Sequence, residues 1–194
     1  FGFPLELTIE MAAEREFTVD TKGYEKAYAK HQQLSRAGAE QKFKGGLADS
    51  SDTTAALHTA THLLHAALRK ILGGHVGQAG SNITADRLRF DFTHPAKVTA
   101  EERSQVQGLV NEAIQRDLPI SFDEMSLEEA RGSGAIALFD QKYGEKVRVY
   151  SIGDVSREVC GGPHAERTGA LGAFRITKEE SSSRGVRRIK AVLE

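Results

Sequence analysis

The sequence contains a single cysteine, Cys160, so no intramolecular disulfide can form and a disulfide-stapled secreted fold is excluded. The chain must therefore be held by a hydrophobic core. Its 194 residues suffice for one good core, or for one domain with an appendage. A 39% hydrophobic fraction beside 27% charged residues is the balance of a soluble globular chain. No apolar run approaches the roughly 18 residues needed to span a bilayer, so no membrane partner is expected. Lys plus Arg is 26 against 27 for Asp plus Glu, a net charge of −1. That is not the strongly basic footprint of an autonomous nucleic-acid binder. The chain starts at Phe1 without a signal-peptide pattern, which reads as an excised piece of a longer protein or a trimmed chain.

The first 46 residues differ from the rest. Pro4 precedes Leu5, Leu7, Ile9 and Met11 among acidic residues, which predicts a short helix. From Thr21 to about Gln41 the chain is rich in Lys, Glu, Ala and Gln, with Tyr24, Tyr28 and Leu34 as a thin apolar stripe. A solvated linker helix is the plain reading. Gly45, Gly46 and the polar run Asp49 to Asp52 mark a domain boundary, dividing the chain into 1–46 and 47–194.

Beyond the boundary the element types alternate. Thr53 to Leu72 reads as a helix closed by Gly73 and Gly74. Leu88, Phe90 and Phe92 alternate with Arg87, Arg89 and Asp91, the pattern of a half-buried strand. Thr99 and Glu102 form a capping box ahead of the stripe Val106, Leu109, Val110, Ala113 and Ile114, and Pro119 ends that helix. Val147 to Ile152, Gly172 to Ile176 and Val186 to Val192 read as strands. Strands with amphipathic helices on one face predict a two-layer α+β domain built on antiparallel sheet.

The chemistry concentrates in two segments. His58 and His62 stand at i and i+4 on one helix face, where two imidazoles can chelate one metal. The stripe Leu57, Leu64, Leu68 and Ile71 puts them at the rim of the core. His65 is near enough to be a third ligand, or to be a packing residue. A metalloprotease would need Glu after the first His, and Thr59 stands there. A zinc deaminase would need His-x-Glu and Cys-x-x-Cys, and neither is present. In the second segment, Cys160-Gly-Gly-Pro-His164, the glycines permit close backbone approach and Pro163 stiffens the turn. Alone, that segment also fits an inert thiol near a surface histidine. Together the two segments supply two or three imidazoles and one thiolate, a normal zinc set.

His58-Thr-Ala-Thr-His62-Leu-Leu-His65, His75-Val-Gly-Gln78-Ala-Gly-Ser81, Cys160-Gly-Gly-Pro-His164 and Glu180-Ser-Ser-Ser-Arg-Gly-Val-Arg-Arg-Ile189 resemble, in order, the editing domain of alanyl-tRNA synthetase. Phe1-Gly-Phe-Pro4-Leu-Glu-Leu-Thr8 resembles the helical tRNA-recognition part just upstream. The resemblance implies an editing-domain fold of the kind shared with threonyl-tRNA synthetase and the AlaX proteins, preceded by a helical remnant. It implies His58, His62, Cys160 and His164 as zinc ligands. Gln78, with Cys160, His58 and His62, is implied in the editing reaction, and Arg187 in editing or tRNA contact; the neighbouring Arg188 is a tRNA-contact candidate on the basic strand alone. Two departures stand out. Pro163 replaces the usual Thr and is closer to the threonyl type. The stretch before the His motif is also short, where many members carry a small β-barrel.

The implied activity is cytoplasmic hydrolysis of Ser-tRNA(Ala) and Gly-tRNA(Ala), with tRNA(Ala) and the rest of the synthetase as partners. An alanine pocket cannot exclude the smaller glycine, and an added hydroxyl costs an apolar pocket only about 10²-fold, so a second hydrolytic site is needed. Two other readings remain open: a free-standing trans-editing deacylase, and a zinc-stabilised module that only binds the acceptor end. Read by themselves, His75 is an ordinary strand-end residue, and Asp91 and His94 are edge or loop residues. The row Arg184, Arg187, Arg188, Lys190 is either a phosphate contact or a solvated basic strand.

Overall fold

In the computed structural model, which describes residues 5–30, 46–137 and 144–194, the chain forms two units, Phe1–Lys42 and Phe43–Glu194. Helix α1 spans Leu5–Ala13 and helix α2 covers residues 21–30. The Tyr24 and Tyr28 rings of α2 stack at 5.8 Å, as residues four apart on a helix can. Pro4, Leu34 and the stretch from 31 to 41 of the predicted second helix lie outside the described residues, which also border the predicted 46/47 boundary.

The second unit begins from its longest helix, α3, Asp52–Leu72. Ser51 caps it by accepting the Thr54 N–H, and Gly73, at φ 116°, closes it in a backbone conformation that side chains resist. Its Leu57, Leu63, Leu64 and Leu68 are buried. The remaining elements are β1 (Gln78–Thr84), β2 (Arg87–Thr93), α4 (Ala100–Gln115), β3 (Ile120–Met125), α5 (Leu127–Gly132), β4 (Val147–Ile152), β5 (Ser156–Val159), a 3-10 turn (Thr168–Leu171), β6 (Phe174–Ser183) and β7 (Val186–Leu193). The pairings between these named strands are antiparallel, in two sheets: β1-β2-β7-β6 and β3-β4-β5. Helix α3 packs on β1 and β2 of the larger sheet, on β5 of the smaller, and on α4.

The core is where the alternating patterns meet. Phe90, Leu88, Ile189 and Ala191 share the inner face of the larger sheet and are fully buried, together with Phe174, Val106 and Val110. Each of these larger side chains, Ala191 apart, contributes about 1.5–3 kcal/mol on burial. The Thr99–Glu102 capping box forms: Glu102 N–H donates to Thr99 Oγ1 at 3.1 Å, and Thr99 N–H donates to Glu102 Oε2 at 2.8 Å. Two amides of α4 then finish the edge strand β6. Asn111 both donates to Phe174 O and accepts from its N–H, and Gln107 accepts from Ile176 N–H. A smaller core of Ala130, Ala135, Val147 and Val149 lies under α5.

Strand β6 begins at Phe174 rather than Gly172, because Gly172 sits at φ 78°, and it extends to Ser183 as a polar ribbon. Strands β1, β3 and β5 carry too little apolar alternation to be read from sequence. Phe90→Ala is expected to cost about 3–5 kcal/mol of unfolding free energy and Thr99→Ala about 1 kcal/mol, measured by urea denaturation. A Phe90→Ala loss no larger than the Thr99→Ala loss contradicts this assignment of the core.

Candidate metal centre

Helix α3 presents His58 and His62 one turn apart, and the turn that follows β5 folds Cys160 and His164 onto them. The three imidazole centroids lie 4.3–5.0 Å apart. One ligand atom from each of the four residues lies within 4.8 Å of all the others. A Cβ on Gly162 would stand 2.5 Å from His58 Cε1, whereas one on Gly161 would meet nothing within 4 Å. Only the second glycine of the pair is therefore required by close approach.

The hydrogen bonds fix the tautomer of each ring. His58 Nδ1 lies 2.9 Å from Pro163 O, and a carbonyl only accepts, so Nδ1 carries the proton. The Thr59 hydroxyl donates to Ala55 O and accepts from Ala165 N–H, so His164 Nδ1, 3.2 Å away, is the donor in their contact. His62 Nδ1 is in an ion pair with Glu158 Oε2 at 3.3 Å, and the carboxylate keeps the ring proton on that nitrogen. Each ring is left with its Nε2 lone pair. His58 Nε2 is 3.4 Å from Cys160 Sγ, and His164 Nε2 is buried with no hydrogen-bond partner. Lone pairs gathered in this way, one of them orphaned, fit a cation that accepts them. Three imidazoles and a thiol are the donor chemistry of a borderline-soft divalent ion such as zinc.

The electrostatics run the same way. Burial disfavours the Cys160 thiolate, but the surrounding imidazoles of His164, His58 and His62 outweigh it and pull the thiol down to about 3. Burial disfavours charge on His62, yet the Glu158 carboxylate and Cys160 push the imidazole up to about 10. Glu158 itself is held well below the usual carboxylate range, its burial overcome by His62 and His65. Burial lowers His164 to about 4.

The other predicted residues lie elsewhere. His65 is buried against Phe90 and hydrogen-bonded to Glu158, outside the four-residue cluster. Gln78 opens β1 beside a bulge, because Gln78 pairs with Phe92 while Gly80 pairs with Asp91. The bulge turns Gln78 to the face shared by Ser81 and Phe90, and its amide donates to Ser81 Oγ at 3.4 Å. Arg187 is on the inner face of the sheet, in an ion pair with buried Glu179. Arg188 is on the outer face, bidentate to Asp91 at 2.7 and 2.8 Å. His75 and His94 hydrogen-bond to each other at 3.0 Å, and burial with the neighbouring His75 pushes His94 down. Three residues at the centre escaped the sequence reading: Glu158, Thr59, and Tyr150, whose ring packs 4.2 Å from that of His164. Glu158 and Thr59 each sit within two positions of a ligand, the one signal that points to them.

Residues 147–190 match the family described as the threonyl and alanyl tRNA synthetase second additional domain. The chain is 63% identical over all 194 of its residues to the alanine–tRNA ligase of Treponema denticola, and 54% identical over 193 residues to that of Borreliella burgdorferi. The chain belongs to the alanine–tRNA ligase family. It spans 32% of the length of those two relatives, so what the whole ligase does is not thereby assigned to these residues. The ligase of Carboxydothermus hydrogenoformans is 54% identical over 140 residues, 72% of this chain. Among the described residues, no helix is long and apolar enough to cross a membrane.

Gly162→Ala is expected to weaken zinc binding on the order of tenfold or more, measured by competition with a chromophoric chelator. Gly161→Ala is the matched control and leaves affinity unchanged. Equal affinity in both variants contradicts the close-approach account.

Proposed function

We propose that the 43–194 unit is the editing site of an alanine–tRNA ligase, a zinc-dependent hydrolase that removes serine and glycine from tRNA(Ala). The observation that carries this reading is the converged His58, His62, Cys160 and His164 set, in a chain similar along its whole length to alanine–tRNA ligases. The match of residues 147–190 to a domain shared by threonyl and alanyl synthetases supports it. So does the double-discrimination problem, which an alanine pocket cannot solve alone.

In this reading the four residues hold the metal, and Pro163 O, Thr59 and Glu158 hold three of them in place. Zinc, when bound, supplies a fixed positive charge and Lewis acidity near the ester. The chain's own residues orient the substrate. Gln78, turned by its bulge to the face that α3 packs against, offers both a donor and an acceptor. Arg188 is the phosphate contact. It shares the outer face of the sheet with Arg89, Lys190 and Lys178, against two acids, Asp91 and Glu180, a local excess of positive charge despite the −1 total. Arg187, on the inner face, reaches tRNA only by leaving Glu179.

Four protein ligands also fill a tetrahedron, which is the mark of a structural zinc. That favours a second reading, a zinc-stabilised module that holds the acceptor end without hydrolysing it. Deacylation of Ser-, Gly-, Ala- and Thr-tRNA by the 194-residue chain decides between them. Hydrolysis of the seryl and glycyl esters with the alanyl ester spared is the expected result, falling by about 10²-fold or more with Cys160→Ala or chelator. No hydrolysis by the unmodified chain supports the binding module, and full activity after both treatments contradicts the metal's role. Lys190→Ala and Arg188→Ala are each expected to lower tRNA affinity and to flatten its log–log salt dependence by about one unit. An unchanged slope removes the sheet face from the tRNA interface.

A further inference from the structure

Glu158 is not among the four clustered donors, yet it is closely tied to one of them. It lies on β5, is 6% exposed, and spends both carboxylate oxygens. Oε1 accepts the Ser156 hydroxyl at 2.8 Å. Oε2 accepts His65 Nδ1–H at 3.1 Å and forms an ion pair with His62 Nδ1 at 3.3 Å. His58 and His164 are oriented by a backbone carbonyl and a hydroxyl, so His62 is the one ligand in the cluster oriented by a charged side chain.

From this geometry we infer that Glu158 is a positioning residue for the metal centre, acting through His62, with Ser156 and His65 holding the carboxylate in turn. Two effects combine. The carboxylate holds His62 as the Nδ1–H tautomer and sets its ring plane, so the Nε2 lone pair points to the cluster without an ordering cost on binding. It also balances charge. A divalent cation with one thiolate leaves one uncompensated positive charge in a buried site, and Glu158 cancels it. A neutral acceptor of the same shape keeps the first effect in part and loses the second. The inference rests on the reading that the four-residue cluster binds zinc.

The test is zinc titration of the 194-residue chain against a chromophoric chelator, with folding checked by circular dichroism. The unmodified chain binds zinc, Glu158→Gln binds about 10–100-fold more weakly, and Ser156→Ala shifts in the same direction by less. The cobalt-substituted absorption spectrum moves in Glu158→Gln, which a residue serving the fold alone would not cause. If the unmodified chain takes up no zinc, the metal reading fails. If it does, and folded Glu158→Gln binds within about threefold with an unchanged cobalt spectrum, Glu158 is not a positioning residue. Should Glu158→Gln not fold, Ser156→Ala decides, and unchanged affinity and spectrum there overturn the inference.

Discussion

Three ring N–H groups, each with its own fixed acceptor, govern the centre. Pro163 O, the Thr59 hydroxyl and the Glu158 carboxylate take the Nδ1 protons of His58, His164 and His62. What remains is three lone pairs beside a thiol that its surroundings drive to the thiolate. Electron-rich atoms held this close repel one another unless a proton or a cation lies among them. The acceptors come from different parts of the fold: the turn after β5, helix α3 itself, and strand β5. Folding and donor convergence are therefore one event.

The architecture serves that convergence. Helix α3 packs against both sheets, so its first turns are covered on nearly all sides and can carry histidines into the interior. Phe90 and Phe92 of β2 and the aliphatic stripe of α4 complete the larger core. The smaller sheet delivers Glu158 and then releases the chain into the Gly-Gly-Pro turn. Gly162 matters because His58 occupies the space a side chain would need. Charge follows the same division. The inner face of the larger sheet buries one ion pair, Arg187 with Glu179, while its outer face keeps its cations partly exposed.

Much of this was legible in the residues. The i, i+4 histidines, the alternation of β2 and the Thr99–Glu102 box are local patterns, and local patterns survive folding. The α+β class followed from them. The division into two separate sheets did not. Strand β3 is mostly exposed and β5 has four residues, so neither shows a hydrophobic period. Glu158 was invisible for a different reason. A single acid on a short strand looks solvent-facing until the fold lays α3 across it, and its partners His62 and His65 are nearly a hundred residues away. Arg187 and Arg188 show the same limit: adjacent positions on a strand face opposite ways, but their acidic partners come from neighbouring strands.

The central claim is that this chain holds one zinc through three imidazole nitrogens and one thiolate. X-ray absorption at the zinc edge on the purified 194-residue chain tests it most directly. The account predicts near-stoichiometric zinc with one sulfur at about 2.3 Å and three nitrogens at about 2.0–2.1 Å. Zinc bound without a sulfur neighbour, or a folded chain that takes up no zinc, contradicts it.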